Sequence, residues 1–210
     1  IIPLAGLGTR LLPLTSVFAK ELLPINGKPG IEYILDECIE AGIKEVIFII
    51  SKQKLMIKKY FYNDKFYKEI IKRKNDPRII SEYQKILRYK KMIKFVFQDK
   101  PLGTGDAVLK TKKLIKDKYF LMLLPDDLII KKNCSKSIIS IHKKFNSSVM
   151  ASMKVNKNEV SRWGIYNIKK KIDNMNFIIK SVVEKPTPKK APSNNAVIGR
   201  YILPKTIFNK

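Results

Sequence analysis

Two glycines one residue apart, Gly6 and Gly8, follow the apolar run Ile1-Ile2-Pro3-Leu4-Ala5, and Thr9 and Arg10 come directly after them. Without a Cβ, such a turn lets backbone N–H groups approach a ligand closely. N–H groups turned toward one point make an anion-binding concavity, and the fork of donors on Arg10 suits phosphate oxygens. Ten residues on, Lys20 in Lys20-Glu21-Leu22-Leu23-Pro24 can return to the same phosphate if the loop folds back. The spacing is not that of a P-loop, whose lysine follows its last glycine directly, and Leu11 stands where a dinucleotide fingerprint has its third glycine. The bland alternative is a plain turn after a strand.

Three more places carry chemistry. Gln98-Asp99-Lys100-Pro101-Leu102-Gly103-Thr104-Gly105-Asp106 is a second glycine-rich loop. A side-chain amide such as Gln98 can pair with both a donor and an acceptor on a base edge, and Gly103 allows close backbone approach. Asp126-Asp127 supply hard oxygen ligands of the kind Mg²⁺ takes when it bridges substrate phosphates, unless they only cap the next turn. Glu184-Lys185 reads by itself as an exposed pair of little energetic weight.

The elements that must position these groups follow from periodicity. Ile31, Ile34, Leu35, Cys38 and Ile39 mark one face of an amphipathic helix that Gly42 ends. Val46-Ile47-Phe48-Ile49-Ile50 is a continuous apolar run, as in a strand of a parallel sheet covered on both faces. The opening is thus a βαβ unit, with its phosphate loop at a strand's carboxyl end, where α/β folds place ligands. Residues 52–91 read as basic helices with Tyr60, Phe61, Phe66 and Tyr67 interleaved, Ile93–Phe97 as a strand, and Tyr119–Pro125 as a buried strand ending at Asp126. Residues 137–145 form a helix and Val149–Val155 a strand. Beyond residue 160, strands at 163–168, 178–184 and 196–203 follow without long helices, an antiparallel portion. One domain is expected over 1–210, in two parts, 1–155 with the glycine-rich loops and 156–210 with the antiparallel strands.

The net charge of +25 points first to nucleic acid. Yet there are 37 lysines and only six arginines, Arg being the residue of choice for bidentate phosphate and base contacts, and the lysines are spread over nearly every element. Nucleic-acid binding therefore ranks as the lesser reading, and the charge is expected to concentrate anionic nucleotides near the surface. Cys38 and Cys134 are distant and unaccompanied by a metal motif, as for reduced cysteines of a cytoplasmic protein. His142 is the only histidine, which leaves little material for a Ser-His-Asp triad or a zinc site. No apolar run approaches the length of a membrane span, and no secretory signal is read at the first residues.

Ala5-Gly6-Leu7-Gly8-Thr9-Arg10 followed by Lys20-Glu21-Leu22-Leu23-Pro24 resembles the nucleotidyltransferases that activate sugar 1-phosphates, and within them the bacterial UTP–glucose-1-phosphate uridylyltransferases. Thymidylyl relatives usually carry Gly and Gln where this chain has Leu7 and Glu21. The resemblance runs through the chain to Ser193-Asn194-Asn195-Ala196-Val197-Ile198-Gly199-Arg200-Tyr201. It implies an α/β, Rossmann-like fold: a mixed, mostly parallel central sheet flanked by helices, with an antiparallel sugar-binding portion. It implies that Ala5, Gly6, Gly8 and Thr9 bind the nucleotide and that Arg10 and Lys20 hold its phosphates. Gln98 and Gly103 match uracil-reading positions, Asp126 the Mg²⁺ ligand, Gly164 and Glu184 the sugar contacts, and Lys185 the lysine on the sugar phosphate. The implied partners are UTP and glucose 1-phosphate, with Mg²⁺ as cofactor; dTTP, another sugar, or an inactive nucleotide-sugar-binding remnant are the alternatives. The chain departs from the family pattern at Ala19, where proline is usual, at Ser16 and Phe18, and at Asp106, where histidine is common. Family members continue beyond the position of Lys210 with a second metal-binding aspartate and oligomerisation helices. The chain is therefore expected to be a fragment of a homo-oligomer, or compromised in activity.

Overall fold

A computed structural model describes residues 1–209. In chain order its elements are β1 (Ile2–Pro3), the short hairpin strands β2 (Pro24–Ile25) and β3 (Lys28–Pro29), α1 (Gly30–Glu40), β4 (Val46–Ile50), α2 (Leu55–Tyr62), α3 (Asp64–Lys74), α4 (Pro77–Met92) and β5 (Ile93–Phe97). Then come α5 (Thr104–Leu109), β6 (Tyr119–Leu123), α6 (Cys134–Phe145), β7 (Val149–Lys154), β8 (Gly164–Lys171), β9 (Phe177–Glu184) and β10 (Asn195–Pro204).

β1, β4 and β5 form a parallel sheet with β4 in the middle, in register from Ile2↔Phe48 and Ile50↔Phe97. Every residue of β4 is buried, which is why its sequence is apolar without alternation. Beside β1 runs β6: the Ile1 amino nitrogen donates to the Leu121 carbonyl at 2.7 Å, and the Leu123 N–H donates to the Ile1 carbonyl at 3.0 Å. That spacing is a parallel one, so four strands end at a common carboxyl edge. β6 then pairs antiparallel with the C-terminal half of β10, and β10 also pairs antiparallel with β7 and, at Ala196↔Ile165, with β8. β8 and β9 complete the antiparallel sheet as a hairpin.

Ile2, Leu4, Ile31, Leu35, Phe48 and Phe61 belong to the main core, which joins α1 and α2 to the parallel strands. Of the interleaved aromatics, Phe61 is fully buried, whereas Phe66 is exposed. Two helix starts, those of α4 and α6, follow side-chain caps. Asp76 accepts the Arg78 N–H at 2.8 Å ahead of Pro77, which needs no donor in a first turn. α6 begins at Cys134, three residues before the periodicity at 137–145 shows it, because the Asn133 side chain accepts the Lys136 N–H at 2.8 Å. Gly42 follows α1 with φ of 80°, as a C′ glycine does.

Candidate active site

The first loop leaves β1 at the carboxyl edge. Gly8 has φ of 69°, and its carbonyl accepts the Leu11 N–H at 2.9 Å and the Thr15 hydroxyl at 2.8 Å. A Cβ there would press on Thr15 at 3.1 Å, whereas one on Gly6 would meet nothing within 4 Å. The tight turn thus sits at Gly8 and the open backbone at Gly6. Ala5 is buried, and Thr9 and Arg10 are exposed.

The loop does fold back. In a single 3-10 turn, Lys20–Leu22, Lys20 points outward and Glu21 inward. The Lys20 Nζ lies 3.2 Å from Oδ2 of Asp126, which follows the end of β6, with the lysine side chain 22% exposed and the aspartate 58%. Glu21 takes both its oxygens to the Lys54 ammonium at 2.8 Å, and this pair is buried. Burial lowers the Lys54 pKa, the Glu21 carboxylate opposes the shift, and the charges of Lys20 and Asp126 also reach it. Ala19 is buried, and its N–H, which a proline would lack, donates to the Met56 sulfur at 3.0 Å.

The second loop follows β5. Gln98 is buried; its backbone N–H continues the ladder to the Ile50 carbonyl at 2.9 Å. Its side-chain Nε2 donates to the Gly103 carbonyl at 3.1 Å and to Oδ2 of Asp106 at 2.8 Å. Gly103, with φ of 91°, precedes α5.

The two adjacent aspartates take different parts. Asp127 accepts the Gly199 N–H on Oδ2 at 2.7 Å, while Asp126 projects outward. Their loop is held from beneath by Arg200, which is 0% exposed. This guanidinium donates to the carbonyls of Leu124 at 3.2 Å and Asp127 at 2.9 Å, on either side of Asp126, and forks onto Glu37 of α1, the shortest bond being 2.6 Å. Ser135 adds its hydroxyl to Glu37 at 2.6 Å. Burial pushes the Glu37 carboxyl up, but the bonds from Arg200 and Ser135 outweigh it and hold it below the usual glutamate value.

In the antiparallel sheet, Gly164 pairs across the ladder with Glu184. A Cβ on Gly164 would come within 3.1 Å of Oε2 of Glu184, so the glycine leaves room for that carboxylate. Lys185 follows with φ of 46°, its N–H donating to the Trp163 carbonyl at 3.0 Å and its ammonium 3.9 Å from Glu184. Tyr201 follows Arg200 on β10 and is half-buried. Burial raises its phenol first, the Asp127 charge adds to that, Arg200 opposes it, and Asp126 and Glu184 raise it further.

The structure thus joins Lys20 to Asp126, Gln98 to Gly103, and Gly164 to Glu184 and Lys185. Among the described residues no hydrogen bond or ion pair links these three groups to one another, and no three His, Cys, Asp or Glu side chains converge as a metal site. A single outward carboxylate still fits Mg²⁺, which keeps waters and takes one or two carboxylates plus substrate phosphates. Sequence reading offered Asp127, with Asp126, as a metal ligand or a cap, and assigned no role to Lys54, Glu37 or Arg200. Only Arg200 left a signal, as the arginine of the Gly199-Arg200-Tyr201 stretch.

A four-strand carboxyl edge bearing a glycine turn, a returning lysine and an aspartate is the arrangement of a nucleotide-handling transferase. The chain belongs to the nucleotidyl transferase family, whose pattern it matches over residues 1–210. It is 34% identical to the UTP–glucose-1-phosphate uridylyltransferase YngB of Bacillus subtilis and 37% identical to the UTP–glucose-1-phosphate uridylyltransferase of Streptococcus pyogenes. Each alignment covers 100% of this chain and 70% of the relative. Among solved structures, the UTP-bound enzyme of Acinetobacter baumannii superposes with a TM-score of 0.90 at 31% identity, over 99% of this chain and 74% of that one. A UDP-glucose pyrophosphorylase complexed with UDP-glucose superposes with a TM-score of 0.84 at 34% identity, over 99% and 76%.

Proposed function

We propose that this chain transfers a uridylyl group from UTP to glucose 1-phosphate, giving UDP-glucose and pyrophosphate. The observation that carries the reading is the meeting of Lys20 with Asp126 at the carboxyl edge, where the Gly6–Gly8 and Gln98–Gly103 loops also emerge. The names and ligands of the relatives supply the nucleotide and the sugar.

In this reading Ala5, Gly6, Gly8 and Thr9 cradle the nucleotide, Gln98 and Gly103 read its base, and Arg10 and Lys20 hold its phosphates. Gly164 and Glu184 accept the sugar, and Lys185 binds the sugar phosphate. The division follows the chain, with residues 1–155 handling the nucleotide and 156–210 the sugar. A phosphate oxygen of glucose 1-phosphate attacks the α-phosphorus in line. The new P–O bond forms as the bond to pyrophosphate breaks and the electron pair leaves with pyrophosphate. The nucleophile is already anionic, so no general base is needed, in keeping with a site without histidine. The chain's task is to bring anions together and neutralise them, which is positioning plus electrostatic stabilisation. Lys20, Arg10 and Lys185 do this from fixed loops. Asp126 would hold Mg²⁺, which when bound supplies further positive charge to the phosphate oxygens.

The test is thermal unfolding with UDP-glucose against dTDP-glucose, each with Mg²⁺. Ligand at 100 times its Kd stabilises the folded state by about 2.7 kcal/mol. For a domain of this size that raises Tm by about 5–10 °C. UDP-glucose is expected to give such a rise, dTDP-glucose a clearly smaller one, and Lys20→Ala is expected to shrink the UDP-glucose response. A folded protein whose Tm neither sugar nucleotide moves would overturn the reading.

A further inference from the structure

The buried amide of Gln98 has two hydrogens, and both are already taken: one by the Gly103 carbonyl at 3.1 Å, the other by Oδ2 of Asp106 at 2.8 Å. Neither partner can donate, because a backbone carbonyl and a carboxylate are acceptors only. Turning the amide over would set its oxygen against both at once. Asp106 is itself held, with Oδ1 3.7 Å from the Lys110 ammonium one helical turn along α5. The hydrogen-bonding capacity that the Gln98 side chain has left is therefore Oε1, an acceptor.

We infer that Asp106 is a specificity-determining positioning residue, which locks Gln98 so that it offers only an acceptor to the base and thereby selects a base with a ring N–H. This rests on the reading that Gln98 faces the nucleotide's base. Uracil carries a hydrogen on N3 and can donate it to Oε1. Cytosine has a bare N3 lone pair, which would face the locked oxygen lone pair to lone pair. A buried acceptor left facing an acceptor is unsatisfied, and such mismatches are what let a polar site reject a near-isostere. An aspartate suits this task because it cannot switch to donating. Asparagine at the same place could turn its own amide and let Gln98 turn as well.

The experiment is calorimetric titration of UDP-glucose and CDP-glucose into the wild-type chain and into Asp106→Asn, Asp106→Ala and Gln98→Ala. Binding is read rather than turnover, and a general loosening of the loop would tighten neither ligand, whereas release of the lock is expected to move the two affinities in opposite directions. The wild type is expected to prefer UDP-glucose. In Asp106→Asn the preference is expected to narrow by about tenfold or more, with UDP-glucose weaker and CDP-glucose tighter. Asp106→Ala, which leaves the Gly103 carbonyl as sole anchor, is expected to narrow it less, and stands in should the asparagine variant not fold. An Asp106 variant that binds UDP-glucose with the wild-type ratio would overturn the inference. If Gln98→Ala abolishes the preference while the Asp106 variants keep it, the lock is wrong and the base-reading role of Gln98 survives. If Gln98→Ala changes neither affinity, that role falls and the lock with it.

Discussion

At the scale of single residues, the contrast between Lys20 and its neighbour Glu21 explains how one short turn serves both chemistry and stability. Lys20 faces the site and keeps part of its solvent contact; Glu21 faces the core and meets Lys54 with both oxygens at 2.8 Å. A buried pair of this kind adds little net stability against an apolar pair of equal volume, but removing one charge strands the other. Glu21→Gln is therefore expected to destabilise the chain by about 3–5 kcal/mol, read as a lower urea midpoint with unchanged slope. Because Lys54 would then lose the carboxylate that accepts from it and lie uncompensated beside Lys20, the same variant is expected to weaken UDP-glucose binding. The double change Glu21→Leu with Lys54→Met is expected to recover the urea midpoint. A double variant no more stable than the single one would mean that the pair contributes more than charge balance. At this scale the sequence could single out candidates where a glycine turn or the end of an apolar run frames them, as at Gly8, Lys20, Gln98 and Asp126. It was not readable for Lys54, one lysine of 37, whose burial comes from the packing of α2 on the first loop. Nor could it divide the labour between Asp126 and Asp127, since only the position of Gly199 on β10 gives Asp127 an N–H to accept and leaves Asp126 to Lys20.

At the scale of elements, the loop that carries Asp126 is fixed by a strand distant in sequence. Gly199 and Arg200 of β10 approach it so closely that a Cβ on Gly199 would lie 2.4 Å from the Leu124 Cβ and 2.9 Å from Oδ2 of Asp127. Neither is the free end of a flexible chain, so the loop itself must move. Gly199→Ala is expected to cost about 1–3 kcal/mol, the usual penalty of overpacking. It is also expected to lower uridylyl transfer out of proportion to that cost, because a misplacement of about 1 Å can cost about a hundredfold in rate. Measuring both on the same preparation decides it: a stability loss with unchanged turnover would show that the loop's position does not matter to the reaction. The helices and strands themselves were legible. Runs such as Val46–Ile50 and the i, i+3, i+4 spacing in α1 state their own environment, and the boundaries moved where a cap such as Asn133 lay outside the apolar pattern or where a strand such as β8 runs on through lysines to Lys171. Pairing was not legible, because nothing in the local pattern of β10 says that its C-terminal half lies between β6 and β7 while Ala196 reaches β8.

At the scale of the whole molecule, the question is what a charge of +25 does to a protein whose partners are nucleotides. Most of its ion pairs lie partly or well exposed, such as Lys52 with Asp99 and Lys94 with Glu45, and pairs of that kind contribute at most about 1 kcal/mol each. Far more lysines exist than carboxylates to meet them, so the net electrostatic effect on the folded chain is repulsion between like charges, which compactness makes worse. Salt screens exposed charges beyond about 10 Å at 0.1 M and leaves buried pairs such as Glu21–Lys54 nearly untouched. Two opposite responses follow from the same charge. Raising sodium chloride from low to physiological strength is expected to raise Tm, since repulsion fades faster than the few exposed attractions. Over the same range the association rate of UTP is expected to fall, because the field that gathers anions fades with it. Differential scanning calorimetry and stopped-flow binding on one salt series would read both. If Tm fell instead, exposed ion pairs would outweigh repulsion, and the lysines would have to be organised into networks rather than spread over the surface.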